Sequence, residues 1–252
     1  SSPPVTPPRT ERQQASGVPA AAPNPARLHA TITHQPKGLD VSAAAHPLTD
    51  EPTQPSRRPQ LEVVDRSSPV DLARAERAVA DLLAALGQDR SSAHLADTPR
   101  RVAASFAELL TPTPFTLTTF PNDEGYDELV LARAIPFSSL CQHHLLPFRG
   151  VAHVGYLPGD RILGLSKLAR VVELFARRLQ LQERLTTQVA HWLQAQLAPK
   201  GVGVVLEAEH LCMTLRGVHA TGARTVTSTM HGQLRTDPGS RQEFLALTGI
   251  SR

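Results

Sequence analysis

Aromatic side chains are scarce in this 252-residue chain: they make up 4% of it, and all ten lie between Phe106 and Phe244. Residues 1–60 hold none, yet they carry twelve of the 22 prolines. Such a segment cannot bury enough apolar surface to offset its ordering entropy, so residues 1–65 are expected to form a disordered, Pro-rich tail. Long apolar runs are also missing. Nothing approaches the roughly 18 residues that a membrane-spanning helix needs, and the N-terminus lacks the basic flank and apolar stretch of a secretory signal. No membrane partner is therefore expected. Only two cysteines are present, Cys141 and Cys212, too few for a disulfide scaffold and suited to a reducing, cytoplasmic setting. Charge is nearly balanced, with 26 basic against 23 acidic side chains. No basic stripe with interleaved aromatics marks a nucleic-acid partner. Neither common phosphate loop, G-x-x-x-x-G-K-[ST] or G-x-G-x-x-G, occurs, so a nucleotide would have to be held in some other way.

What is present is periodic. Ser68-Pro69-Val70-Asp71 reads as a helix start with proline near the first turn. Leu72, Ala75, Val79, Leu82 and Leu86 then recur at helical spacing up to Gly87. Asp97-Thr98-Pro99 opens a second helix with Val102, Phe106 and Leu109 on one face. The two are expected to form a helical hairpin over 66–112. Beyond it, Leu129–Phe137, Val151–Leu157, Val202–Met213 and Thr225–Leu234 read as strands, rich in β-branched and apolar residues. Between the second and third strands, helices are expected over about Ser166–Leu179 and Gln182–Leu197, and a short terminal helix follows Asp237-Pro238. The order β-β-α-α-β-β predicts an α+β fold over 113–252: a four-stranded antiparallel sheet with a helix pair on one face.

The two cysteines lie 71 positions apart, and each has histidine close by. Cys141-Gln142-His143-His144 places a thiol and an imidazole at C-x-x-H spacing, which a turn at a strand end can bring onto one metal. In the strand that runs to Met213, His210 and Cys212 are two residues apart, so both side chains point to one sheet face. Cys141, His144 and Cys212 would then form a Cys₂His set with an open fourth position, as catalytic zinc sites have. Spacing alone also admits a disulfide between the cysteines, or two small buried hydrophobes. Ser166, Lys167 and Arg170 at a helix start suit an anion, or else a capping serine with solvated charges. Glu183 suits the first turn of its helix. Arg216-Gly217 reads either as a turn or as a cation beside the metal.

Taken in order, Ser139-Leu140-Cys141-Gln142-His143-His144-Leu145-Leu146-Pro147-Phe148, Gly155-Tyr156-Leu157-Pro158, Gly164-Leu165-Ser166-Lys167-Leu168-Ala169-Arg170, Gln182-Glu183-Arg184-Leu185-Thr186, His210-Leu211-Cys212-Met213 with Arg216-Gly217, and Thr225 to Met230 resemble the GTP cyclohydrolase I family of the tunnelling-fold superfamily. The resemblance covers roughly residues 70–248 and leaves the tail outside. It implies zinc held by Cys141, His144 and Cys212, with His143 and His210 as acid/base histidines and Ser166 among the catalytic groups. It implies that Glu183, with Gln182, holds guanine, and that Lys167, Arg170 and Arg216 contact the triphosphate, with Arg101 a weaker candidate. A carboxylate suits guanine because N1–H and the 2-amino group are adjacent donors, whereas adenine presents an acceptor at N1.

The implied reaction is hydrolysis of the GTP imidazole ring, with loss of formate and rearrangement to 7,8-dihydroneopterin triphosphate, the first step of tetrahydrofolate and pterin synthesis. The implied assembly is a homodecamer of two pentamers with sites shared between subunits. One residue departs from the family pattern: Gln142 stands where Glu is usual. Loss of that charge is expected to ease proton loss from His143 or from a metal-bound water. It is also the only feature that favours a ring-forming regulatory subunit with slow turnover. A third possibility keeps the ring opening but serves deazapurine synthesis.

Overall fold

The computed structural model describes residues 69–89 and 91–250; the expected tail lies outside them. Helices α1 (Leu72–Ala85) and α2 (Thr98–Leu109) come first and pack on each other. Asp71 caps α1 by accepting from the Arg74 amide at 2.8 Å, satisfying one of the free N–H groups of the first turn. No residue of α1 is buried.

A short strand β1 (Thr119–Pro121) leads to β2 (Val130–Cys141), β3 (Pro147–Leu157) and β4 (Arg161–Leu163). Then follow α3 (Ser166–Ala176), β5 (Leu179–Gln180), α4 (Gln182–Leu197), β6 (Gly201–His210), α5 (Leu211–Thr214), β7 (Thr225–Gly232), α6 (Gln233–Thr236) and α7 (Pro238–Thr248). The main sheet has the order β5-β2-β3-β6-β7, and β1 pairs with β4 in a small second sheet. Strands β2, β3, β6 and β7 are antiparallel neighbours, as the hydrophobic pattern predicts. The fifth strand is the difference: β5 runs parallel to β2 for two residues, Leu140 opposite Leu179 and Cys141 opposite Gln180. So short a strand has no period to read, and the helix expected to reach Leu179 stops at Ala176 to form it.

Alternation along the strands divides the sheet into two faces. Phe148, Ala152, Val154 and Tyr156 on β3, with Val202, Val204, Leu206 and Ala208 on β6, meet Leu168, Val171 and Val172 of α3 and Leu185, Val189 and Leu193 of α4 in the main core. On the opposite face Phe244 of α7 packs with Leu157, Val205, Met230 and Leu234. Glycine is needed beneath that ring, since a Cβ at Gly203 would lie 2.8 Å from Phe244. At one end of this sheet β2 terminates in Cys141, β3 starts beside it, and β6 terminates in His210.

Candidate metal and catalytic site

Cys141 closes β2, and the chain then folds back within five residues. The Leu145 amide donates to the Cys141 carbonyl at 2.8 Å, and the Cys141 amide donates to the Leu146 carbonyl at 2.9 Å. Leu145 takes a left-handed backbone, φ 56°, to complete the reversal. This turn carries the His144 Nδ1 atom to 3.7 Å from the Cys141 sulfur. His143 is also near: ligand atoms of Cys141, His143 and His144 all lie within 4.8 Å of one another.

The second cysteine arrives by a different route from the one alternation predicts. β6 ends at His210, and α5 begins at once, so Cys212 sits on a helical turn and not on the sheet face expected for it. Its sulfur nevertheless lies 3.9 Å from that of Cys141. A disulfide has its sulfurs about 2.05 Å apart, so both cysteines are free. A tetrahedral ion with bonds of about 2.3 Å to sulfur and about 2.0 Å to nitrogen sets two thiolates about 3.8 Å apart and a thiolate and imidazole about 3.6 Å apart. The Cys141–Cys212 and Cys141–His144 separations match such an ion, and the donor atoms that all lie within reach of one another are those of Cys141, His143 and His144. Burial pushes the Cys212 thiol pKa up, and the neighbouring Cys141 adds to the shift, while the Arg216 cation opposes it. Two thiolates side by side need a cation to offset their repulsion.

His210 is held on two sides. Its ring stacks on Phe148, its partner across the strands, with centroids 4.7 Å apart and planes 1° apart. Its Nε2 lies 2.7 Å from Gln182 Oε1. Burial lowers its pKa, and the nearby charge of Glu183 acts in the opposite sense. Glu183 itself is exposed in the first turn of α4. Gln182 differs from expectation: at 2% exposed, with its amide bonded inside the protein, it is not open to a ligand.

Of the remaining candidates, Arg216 lies near Cys212, and the others lie elsewhere. Ser166, Lys167 and Arg170 occupy the first turns of α3, whereas the other end of α3 leads into β5, which pairs at Cys141. Eleven residues at about 1.5 Å each put the two groups on the order of 16 Å apart within one chain. Lys167 lies over the Phe115 ring, 5.8 Å from its centroid. Arg101 is engaged with Asp97 at 3.1 Å and with the His94 carbonyl at 3.3 Å. Arg216 is exposed in the loop after α5.

A supporting network escaped the sequence reading. Arg184 donates to Gln142 Oε1 at 2.7 Å, to Gln180 Oε1 at 2.8 Å and to the Leu179 carbonyl. It thus ties the Cys141 turn to β5 and α4. Gln142 points to Arg184, so its side-chain oxygen is occupied by a guanidinium. The spacing Gln180-x-x-x-Arg184 was the available signal, though nothing in the sequence ties it to Gln142.

Residues 75–249 match the family model for GTP cyclohydrolase I. The chain is 53% identical over 182 residues to GTP cyclohydrolase 1 of Mycobacteroides abscessus, covering 70% of this chain and 89% of that protein. It is 51% identical over 184 residues to GTP cyclohydrolase 1 of Streptomyces griseus, covering 70% and 90%. A crystal structure of the archaeosine synthase QueF-Like in the apo form aligns with 42% of this chain and 94% of its own, at 16% identity and a TM-score of 0.33, a likeness too weak to bear on the fold. With the match running through both cysteines, the histidine pair and Glu183, the chain belongs to the GTP cyclohydrolase I family.

Proposed function

We propose that the protein hydrolyses the imidazole ring of GTP in a tunnelling-fold domain spanning 113–252, using zinc held by Cys141, His144 and Cys212. The observation that carries this is the convergence of two free sulfurs and an imidazole nitrogen, 3.9 and 3.7 Å apart, from segments 71 positions apart. Bound there, zinc would acidify a water so that hydroxide is at hand near neutral pH.

The chain's own groups supply the rest. Glu183 accepts from guanine N1–H and the 2-amino group and thereby orients C8 towards the donor cluster. His210, whose pKa burial lowers, and His143 move protons to and from the purine ring nitrogens. Ring opening and deformylation consume two waters and release C8 as formate. The ribose rearranges and recloses on the diamine with loss of one water, giving 7,8-dihydroneopterin triphosphate.

Ser166, Lys167 and Arg170 receive the triphosphate of a GTP bound to another copy. Support comes from their place at the far end of α3 and from two sheet edges left open among the described residues: β7, and β2 over most of its length. Joining β2 of one copy to β7 of the next would remove both edges. A ring of this kind, stacked in pairs as a decamer in the cytoplasm, suits free thiols and a divided site. No helix among the described residues is long and apolar enough to cross a membrane. The test is to incubate the purified, metal-assayed protein with GTP and to measure formate and the fluorescent oxidised pterin. Stoichiometric zinc without either product would overturn the proposal in favour of a binding subunit.

A further inference from the structure

Gln182 is a large polar side chain sealed in the protein beside a histidine, and every hydrogen-bonding direction around it can be assigned. Its Nε2 lies 2.9 Å from the Thr225 carbonyl oxygen and 3.2 Å from that of Leu206. Carbonyls only accept, so the amide nitrogen must be the atom on that side. The third neighbour agrees. Thr186 Oγ1 donates to the Gln182 carbonyl at 2.7 Å. The proton between Thr186 Oγ1 and Thr227 Oγ1, 2.6 Å apart, therefore comes from Thr227. Thr227 Oγ1 is left to accept from Gln182 Nε2 at 3.2 Å. The amide cannot flip, and Oε1 faces His210 Nε2 at 2.7 Å. An amide oxygen only accepts, so that ring nitrogen must carry the proton.

We infer that Gln182 is a positioning residue that holds His210 as its Nε2–H tautomer and leaves the Nδ1 lone pair free for the acid/base step. This rests on the assignment of His210 as an acid/base group in the proposed reaction. The stack on Phe148 fixes the ring plane, and the Gln182 bond fixes rotation within it. Only one nitrogen then remains to exchange a proton with the purine. Gln182 thus acts through His210 and does not touch guanine.

Two measurements test this on the full-length, metal-loaded protein. Solid-state NMR of ¹⁵N-histidine-labelled protein reads the tautomer directly, with His210 assigned by the resonances lost in His210→Asn. Protonated Nε2 and bare Nδ1 are expected; a protonated Nδ1 on neutral His210 would overturn the inference. Steady-state kinetics of Gln182→Met separate positioning from binding. The expected result is a kcat about 10–100-fold lower, a partial loss of the roughly 10²–10⁴-fold that general acid–base catalysis contributes, with KM changed less than about twofold. A raised KM at unchanged kcat would assign Gln182 to guanine and also overturn the inference. If Gln182→Met does not fold, the wild-type tautomer decides alone. Full activity in His210→Asn would instead remove the acid/base assignment, leaving the tautomer measurement to stand or fall separately.

Discussion

The two groups of polar residues that the proposed reaction joins into one site are built very differently. At the end of β2 and β6, Cys141, His144, Cys212 and His210 are fixed by a tight turn, a helical turn, a ring stack and a buried amide. At the start of α3, Ser166 and Arg170 are exposed, and Lys167 only lies over an aromatic ring. One region is held by turns, a ring stack and buried hydrogen bonds; the other offers cations to solvent. Bond-making chemistry needs placement to a fraction of an ångström. Holding a triphosphate needs charge that can adapt. On the proposed reading, each chain would carry half of each of two sites.

The largest expected effect strikes the first of these regions. Cys212→Ser replaces a thiolate by a weakly acidic hydroxyl. Outer partners of metal ligands are worth about 10–100-fold in affinity or activity, so a ligand itself should cost more than that. Loss of both bound zinc and turnover is expected, read by metal analysis and the pterin assay. A serine variant with full zinc and rate would break the comparison at its root. Next in size is His210→Ala, which should retain metal and lose about 10²–10⁴-fold in kcat. Loss of zinc in that variant would move His210 into the ligand set.

The exposed region should respond in binding. Arg170→Ala removes one cation from the triphosphate and is expected to raise KM about tenfold, the cost of one charge-assisted contact, at unchanged metal content. Division between copies can be tested by mixing. If Cys212→Ser is co-assembled with a Lys167→Ala/Arg170→Ala double variant, random pairing across a heterologous interface leaves about a quarter of sites with both halves intact. Activity near that fraction, from two variants each inactive alone, is expected. No recovery in verified mixed oligomers would place both halves within a single chain.

How much of this could be read from the sequence follows from the range of the forces involved. Helix α4 begins and ends at the residues its periodicity marks, Gln182 and Leu197, because its buried stripe is a local pattern. The C-x-x-H spacing at Cys141 is local too, and the turn it suggests is present. Cys212 was placed on the wrong element, since β-branched and apolar residues up to Met213 carry no sign that the strand yields to a helical turn at Leu211. Strand β5 was missed because two residues have no alternation. Gln182 was assigned to the ligand, because only the packed structure shows the Leu206 and Thr225 carbonyls waiting for its amide.

The smallest effect concerns β3, which links the regions by running from Phe148 at the metal end to Leu157 on the way to α3. His153 in the middle of that strand is 5% exposed, and its Nδ1 has no hydrogen-bond partner among the described residues. Burial pushes its pKa below the ordinary value, the Arg133 charge adds to this, and Glu207 opposes it. The sign follows from linkage: the unfolded chain binds a proton at His153 more readily than the folded one does. Its contribution to stability is therefore intact above the ordinary histidine value near 6.5. It is lost as pH falls from there towards the depressed folded value, at no more than about 1.4 kcal/mol per pH unit for one proton. His210 and His231 are shifted the same way, so the useful quantity is a difference. The fall in Tm between pH 7 and pH 5 should be smaller in His153→Gln than in the parent protein. Equal falls would show that the strand joining the two regions is indifferent to acid, and that the acid-sensitive groups lie at the ends of the sheet and not along it.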